Sequence, residues 1–355
     1  MSTVAALALA PRVLRREVRP GRPGRFGPDA ALAVVVALFL LNQMLFAVYV
    51  QRVKGGSTEF IARYLPPGWF DVPRGNPAVD WLAAHCPLPG LLAPTALRVQ
   101  AFLELPLVLL AFVAVLGRLD RGLSARVAAS PLLPLAAASY TVAFCAVEWD
   151  LRNPYTVDDI AIRIASALVT PPLLARLAAR EAPRQRRSVV LFAIDLWAYG
   201  TLMLVLYDTV LLYNLARLGD HLVEAGLAVA ALVATRLAPQ GRGSTGPYTA
   251  ALADTLGRAL ALFLVPALAI RYGVDFGTPQ LAAAAGLVVL APAARPLRLL
   301  PVAAAGAAVG YAVLRLAPGP YYEATLLRSA TGALLTTAAL CALLDTTHTR
   351  LVVRS

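Results

Sequence analysis

The stretch CAVEWDLRNPYTVDDIAIRIAS, residues 145–166, decides how the whole chain is read. An apolar run ends in Glu148-Trp149-Asp150, and the next apolar run opens on Asp158, Asp159 and Arg163. Four acids and two arginines thus fall within sixteen residues of a chain that is only 15% charged. Ionisable groups at or inside the hydrocarbon boundary are costly, so they face a bundle interior or a water-filled space. The stretch is therefore expected to be a tight connection between two membrane helices, with its charges at the rim of a polar cavity.

Working outward, the composition supports that frame. The chain has 355 residues, 59% of them hydrophobic, and a mean hydropathy of +0.68. Repeated apolar runs near the ~20 residues that a bilayer crossing requires imply an all-α, polytopic membrane helix bundle. The net charge of +12 is carried almost wholly by arginine, Lys54 being the one lysine. In a membrane protein such an excess sets orientation, and no interleaving of basic and aromatic residues suggests nucleic-acid binding. Arginine in place of lysine, with abundant Ala, Leu, Val and Pro, resembles the coding of a GC-rich bacterium. Cys86, Cys145 and Cys341 are too scattered for a disulfide framework or a zinc site.

About ten spans are expected: 29–50, 98–117, 131–149, 159–178, 188–215, 220–237, 250–271, 279–294, 299–316 and 323–344. Residues 1–28, with six arginines among glycines and prolines, read as a basic cytoplasmic tail, and 345–355 as a second one. The bundle then occupies 29–344. Its longest connection, 51–97, is broken by Gly and Pro but carries Trp69, Phe70 and Trp81, and is expected to lie at the membrane interface as an outer cap. With the N-terminus inside, the arginine-rich connections at 118–126, 176–187, 236–242 and 295–298 all fall on the cytoplasmic side. The acidic or mixed connections fall outside, as the positive-inside rule requires. The expected location is the plasma membrane, with the lipid bilayer as partner. Gly306 and Gly310 are spaced for a close contact between neighbouring helices.

Placed on these spans, the intramembrane charges converge on the outer half. Glu104 lies about 9 Å inside the second span, at ~1.5 Å per residue, with Gln100 one turn above it. Glu148 and Asp150 close the third span, Asp159 and Arg163 open the fourth at a spacing suited to an ion pair, and Asp208 stands near the outer end of the fifth. A carboxyl in apolar surroundings is a candidate acid, proton carrier or substrate ligand. Asp195 is set apart, about 20 Å along the helix from Asp208, in a second site on the inner side, in a relay running along that helix, or hydrogen-bonded to a neighbouring helix. The candidate catalytic residues are Glu148, Glu104, Asp208, Asp159, Arg163 and Asp195; candidate substrate contacts are Trp149, Asp150, Tyr155, Trp197, Tyr199, Tyr207 and Gln100. His85, His221 and His348 form no metal-binding spacing, so neither a metal nor a cofactor is expected.

A buried carboxyl among aromatic rings is equipped to protonate an alkene or epoxide and to steer the resulting cation. In Glu104, Glu148, Asp195 and Asp208 with Trp149, Trp197, Tyr199 and Tyr207, the chain resembles the membrane-integrated terpene cyclases, which work without a diphosphate motif. The resemblance implies an isomerase of secondary metabolism acting on a lipophilic isoprenoid. Two other readings stay open. One is a proton-coupled transporter in which Glu104, Glu148 or Asp208 carries the proton and Arg163 moves between partners. The other is a lipid-linked group transferase using Glu59, Asp71 or Asp80 of the long loop.

Overall fold

The computed structural model describes residues 27–63, 77–87, 89–152, 154–179, 188–211, 217–238, 246–257, 299–319 and 322–354. Among them the chain is all-helical, with no strand. Helix α1 (Pro28–Lys54) begins with proline at its first position, where the missing N–H costs nothing, and stops at Gly55 in the left-handed conformation (φ 60°). Two short helices follow, α2 (Glu59–Ala62) and α3 (Pro77–His85). Helix α4 (Leu92–Leu119) is the central rod, and α5 (Arg121–Ala128) turns away from it. Next come α6 (Leu132–Leu151), α7 (Thr156–Ala179) and α8 (Val189–Leu206), the last running into one π-helical turn at Tyr207–Leu211. Helices α9 (Leu218–Leu237), α10 (Leu300–Leu316) and α11 (Tyr322–Arg354) complete the described elements, with a helical segment at 247–257 between α9 and α10.

Among the described residues six helices are long and apolar enough to cross a membrane: α1, α4 from Arg98, α7, α8 into its π turn, α9 and most of α11. The pair α5–α6, bent by 62°, makes a seventh if it counts as one span, and α10 is shorter than these. The ten expected spans are therefore more than the described residues supply. The expected span 279–294 and most of 250–271 lie outside them.

Other expectations change in detail, each for a local reason. The connection after the second span is helical rather than a loop, because the Asp120 side chain accepts from the Leu123 N–H and caps α5. The cap region is partly helical: α3 packs along α1, with Val79 and Ala83 buried against Ala47 and Val48. Trp81 on its other face is 61% exposed. The last helix runs on past 345 to Arg354, so the expected second tail begins within it. Asp345 is buried in it and accepts from the backbone N–H groups of Tyr248 and Thr249 at 2.8 and 2.9 Å, closing the start of the segment at 247–257. The basic tail at 1–28 lies outside the described residues up to Phe26.

The main core gathers Phe39 of α1, Leu103, Leu107 and Leu109 of α4, Leu133 and Tyr140 of α6, and Leu174 of α7. Helix α4 packs against α1, α7 and α8 and is the wall that the other helices share. A second core joins Phe192 of α8 to Val302 of α10 and Cys341 of α11. Gly306 and Gly310 lie in the α10–α11 contact: a methyl on Gly306 would strike the Thr337 hydroxyl and the Ala333 carbonyl, so these glycines hold two helices of the chain together.

Candidate functional site

Three helices deliver charge to one buried point. Glu104 comes from the middle of α4, Glu148 from the last turn of α6, and Asp159 and Arg163 from the first two turns of α7. All four are nearly out of solvent, with 5% of Glu104, 8% of Glu148, 7% of Asp159 and 5% of Arg163 exposed. The short connection holds them there. Arg152 ends α6 in the left-handed conformation (φ 47°), and the Thr156 hydroxyl at the start of α7 donates to the Glu148 carbonyl at 3.1 Å. This staples the end of α6 to the beginning of α7.

Arg163 is the hub. Its Nη1 donates to Glu104 Oε2, and its Nη2 lies 3.6 Å from Glu148 Oε1. The guanidinium carbon stacks 3.4 Å from the centroid of Phe144, which in turn stacks with Tyr140. A cation over an aromatic face gains from the ring quadrupole when both are desolvated. The expected ion pair between Asp159 and Arg163 is not the one formed. The long arginine side chain reaches across to the neighbouring helices, and Asp159 Oδ1 is buried with no hydrogen-bond partner among the described residues. Three carboxyls face one guanidinium, so full ionisation would leave two uncompensated negative charges in an apolar setting.

A polar line leads to this centre. Gln100, one turn above Glu104, accepts from Gln43 Nε2 of α1, and the neighbouring Asn42 donates to the Ala96 carbonyl at 2.9 Å. On α7 the same face continues past Arg163 through Ser166, which donates to the Phe102 carbonyl at 2.7 Å, to Thr170. Of these polar residues only Gln100 is a candidate from the sequence; Asn42, Gln43, Ser166 and Thr170 join it in the structure. Their signal was the presence of polar side chains in register inside apolar spans.

The other candidates lie apart from the centre. Asp208, in the π turn, accepts from Arg217 at 3.0 Å and pairs with His221 Nε2 at 2.8 Å, partners different from the Arg163 that Glu104 and Glu148 share. Tyr207 precedes it in that turn and is half-buried. Asp195 is fully buried and accepts from the Thr235 hydroxyl of α9, an interhelical hydrogen bond of the kind that was one of its three expected roles. Tyr199 is 7% exposed and donates to Asp29 Oδ1 at 3.1 Å while accepting from Arg118 at 3.3 Å. It belongs to a polar group at the opposite end of the bundle. Trp149 is 61% exposed and faces away from the centre, and Trp197 is half-buried on α8. Tyr155 packs against the cluster of Phe46, Tyr49 and Ile61, where burial holds its phenol above the ordinary tyrosine range. The Asp150 side chain and Asp71 lie outside the described residues.

The rings beside the buried charges are thus Phe144 and Tyr140 rather than the tryptophans singled out from sequence. Comparison with protein-family models, with curated proteins and with solved structures finds no match to this chain.

Proposed function

We propose that this is an integral membrane enzyme that transfers a proton from a buried carboxyl to a lipophilic substrate, with Asp159 as the acid. The observation that carries the reading is the Asp159 carboxyl itself: buried, unpartnered at Oδ1, and set beside two carboxyls that already share Arg163. A carboxyl buried beside two others and unpartnered at one oxygen is placed to pass a proton to something that enters the centre. Glu104 and Glu148 serve to fix Arg163, and Phe144 and Tyr140 present ring faces to positive charge. In its most concrete form the substrate is an isoprenoid: Asp159 protonates an alkene or epoxide, the cation closes a ring, and a neighbouring C–H returns its proton to the Asp159 carboxylate as the final double bond forms, as in the membrane-integrated terpene cyclases.

The proposed setting is a bundle of about ten spans in the plasma membrane, with the N-terminus inside and the centre in the outer half. The charge pattern of the connections supports that orientation. The test is production of the chain in a host fed prenylated aromatic substrates, followed by mass analysis of products. The parent is expected to form a cyclised product of unchanged mass, and Asp159→Asn to lose it at least a hundredfold. Equal conversion by Asp159→Asn rules out the assigned acid.

A second reading is favoured by one distance. Arg163 lies within reach of both Glu104 and Glu148, so it could exchange partners as a proton enters and leaves, the device of a proton-coupled carrier. Reconstituted vesicles carrying an internal pH dye separate the two: proton flux that requires Arg163, with no product formed, selects the carrier.

A further inference from the structure

Two buried groups one helical turn apart on α7 have atoms to spare for each other and do not meet. Asp159 Oδ1 and Arg163 Nε are both buried without a hydrogen-bond partner among the described residues. Four residues is the spacing at which a carboxylate and a guanidinium pair along a helix. Instead the guanidinium is drawn off α7, to Glu104 of α4 on one side and to the Phe144 ring of α6 on the other. Whether Asp159 stays apart from it therefore depends on where α4 stands against α7.

A second tie fixes that relation. Pro106 lies inside α4. Proline carries no N–H, so the carbonyl four residues earlier, that of Phe102, has no helical partner. Helix α7 supplies one: the fully buried Ser166 hydroxyl donates to the Phe102 carbonyl at 2.7 Å. With its single hydrogen committed there, Ser166 is the acceptor in its 3.4 Å contact with the Thr170 hydroxyl. Ser166 stands three residues beyond Arg163, and Phe102 two before Glu104. The hydroxyl thus joins the same two helices about one turn from the ion pair.

From this geometry we propose that Ser166 is a positioning residue: its bond to the Phe102 carbonyl holds α4 where Glu104 takes Arg163, and so keeps the guanidinium off Asp159. The inference rests on the reading of Asp159 as the acid, which needs a carboxyl free of arginine. Once the tie is cut, α4 is no longer held at the level of Glu104, and Arg163 falls back on the carboxyl of its own helix.

The full-length protein in detergent is treated with a hydrophobic carbodiimide, which adds to a carboxylic acid and not to a carboxylate held by arginine, and modified residues are found by peptide mass spectrometry. In the parent, Asp159 is expected to be labelled. Ser166→Ala, by admitting Arg163 to Asp159, should cut that labelling about tenfold, the worth of one buried hydrogen bond. It should also lower the thermal midpoint, because the Phe102 carbonyl is left unsatisfied. Pro106→Ala returns an N–H to that carbonyl and separates the two effects. In Pro106→Ala/Ser166→Ala the midpoint should match that of Pro106→Ala, while the labelling of Asp159 stays low. A hydroxyl that only satisfies the carbonyl would let both recover together, and that result overturns the proposal. If Ser166→Ala does not fold, the comparison of Pro106→Ala/Ser166→Ala with Pro106→Ala decides. Equal labelling of Asp159 with and without Ser166 overturns the positioning role and leaves the acid in place; no labelling of Asp159 in the parent overturns both.

Discussion

At the residue scale, the centre contains two kinds of acid that stability separates. Glu104 and Glu148 hold Arg163, and a buried charge that loses its partner is strongly destabilised, by about 3–5 kcal/mol. Arg163→Gln is therefore expected to lower the thermal midpoint sharply, since it strands two carboxyls. Asp159→Asn removes an ionisable group that satisfies no partner at Oδ1, and should leave the midpoint unchanged or raise it. Thermal unfolding of the two variants in detergent is the check; an equal fall in both would make Asp159 a structural residue and end its role as acid. The sequence exposed these four residues because charge inside an apolar run stands out. It could not reveal the partners, because helical spacing finds neighbours on the same rod, and Arg163 is long enough to reach the next ones. The group around Asp29 stayed hidden for a related reason: Arg118 and Arg236 lie at span ends, where arginine is ordinary.

At the scale of elements, continuity was harder to read than existence. The apolar runs marked α1, α4, α6, α7, α8 and α9 near their places, since length and hydropathy decide where a membrane helix can form. The ends depended on contacts between distant segments. Asp345 shows how: by charge and position it belonged to a tail, yet α11 carries it inward to accept two backbone N–H groups from the segment at 247–257. Helix starts left without a cap lose about 0.5–2 kcal/mol. Asp345→Ala should accordingly lower the midpoint by a few degrees and speed amide exchange first at Tyr248 and Thr249. Unchanged protection at those amides would mean that the carboxylate does not close the segment. Trp149 follows from the helix itself: neighbouring residues on α6 are turned by about 100°, so with Glu148 buried the indole beside it comes to the outer face, where it is 61% exposed.

For the molecule as a whole, two polar groups lie toward opposite ends of one apolar body. Glu104, Glu148, Asp159 and Arg163 sit near the turn joining α6 to α7, and Asp29, Arg118 and Arg236 where α1 begins and α9 ends. On α4 alone, Glu104 and Arg118 are fourteen residues apart, about 21 Å along the axis. If the arginine-rich end faces the cytoplasm, the acid centre lies toward the outer leaflet and the group around Asp29 toward the inner one. That orientation is testable without knowing any substrate. In a background with Cys86, Cys145 and Cys341 replaced by serine, Ser57→Cys beyond α1 and Arg176→Cys near the end of α7 are both exposed positions. A membrane-impermeant maleimide applied to intact cells should label Cys introduced at 57 and reach the one at 176 only after permeabilisation. The reverse pattern would turn the bundle over, place the acid centre on the cytoplasmic half, and require any lipophilic substrate to arrive from the inner leaflet.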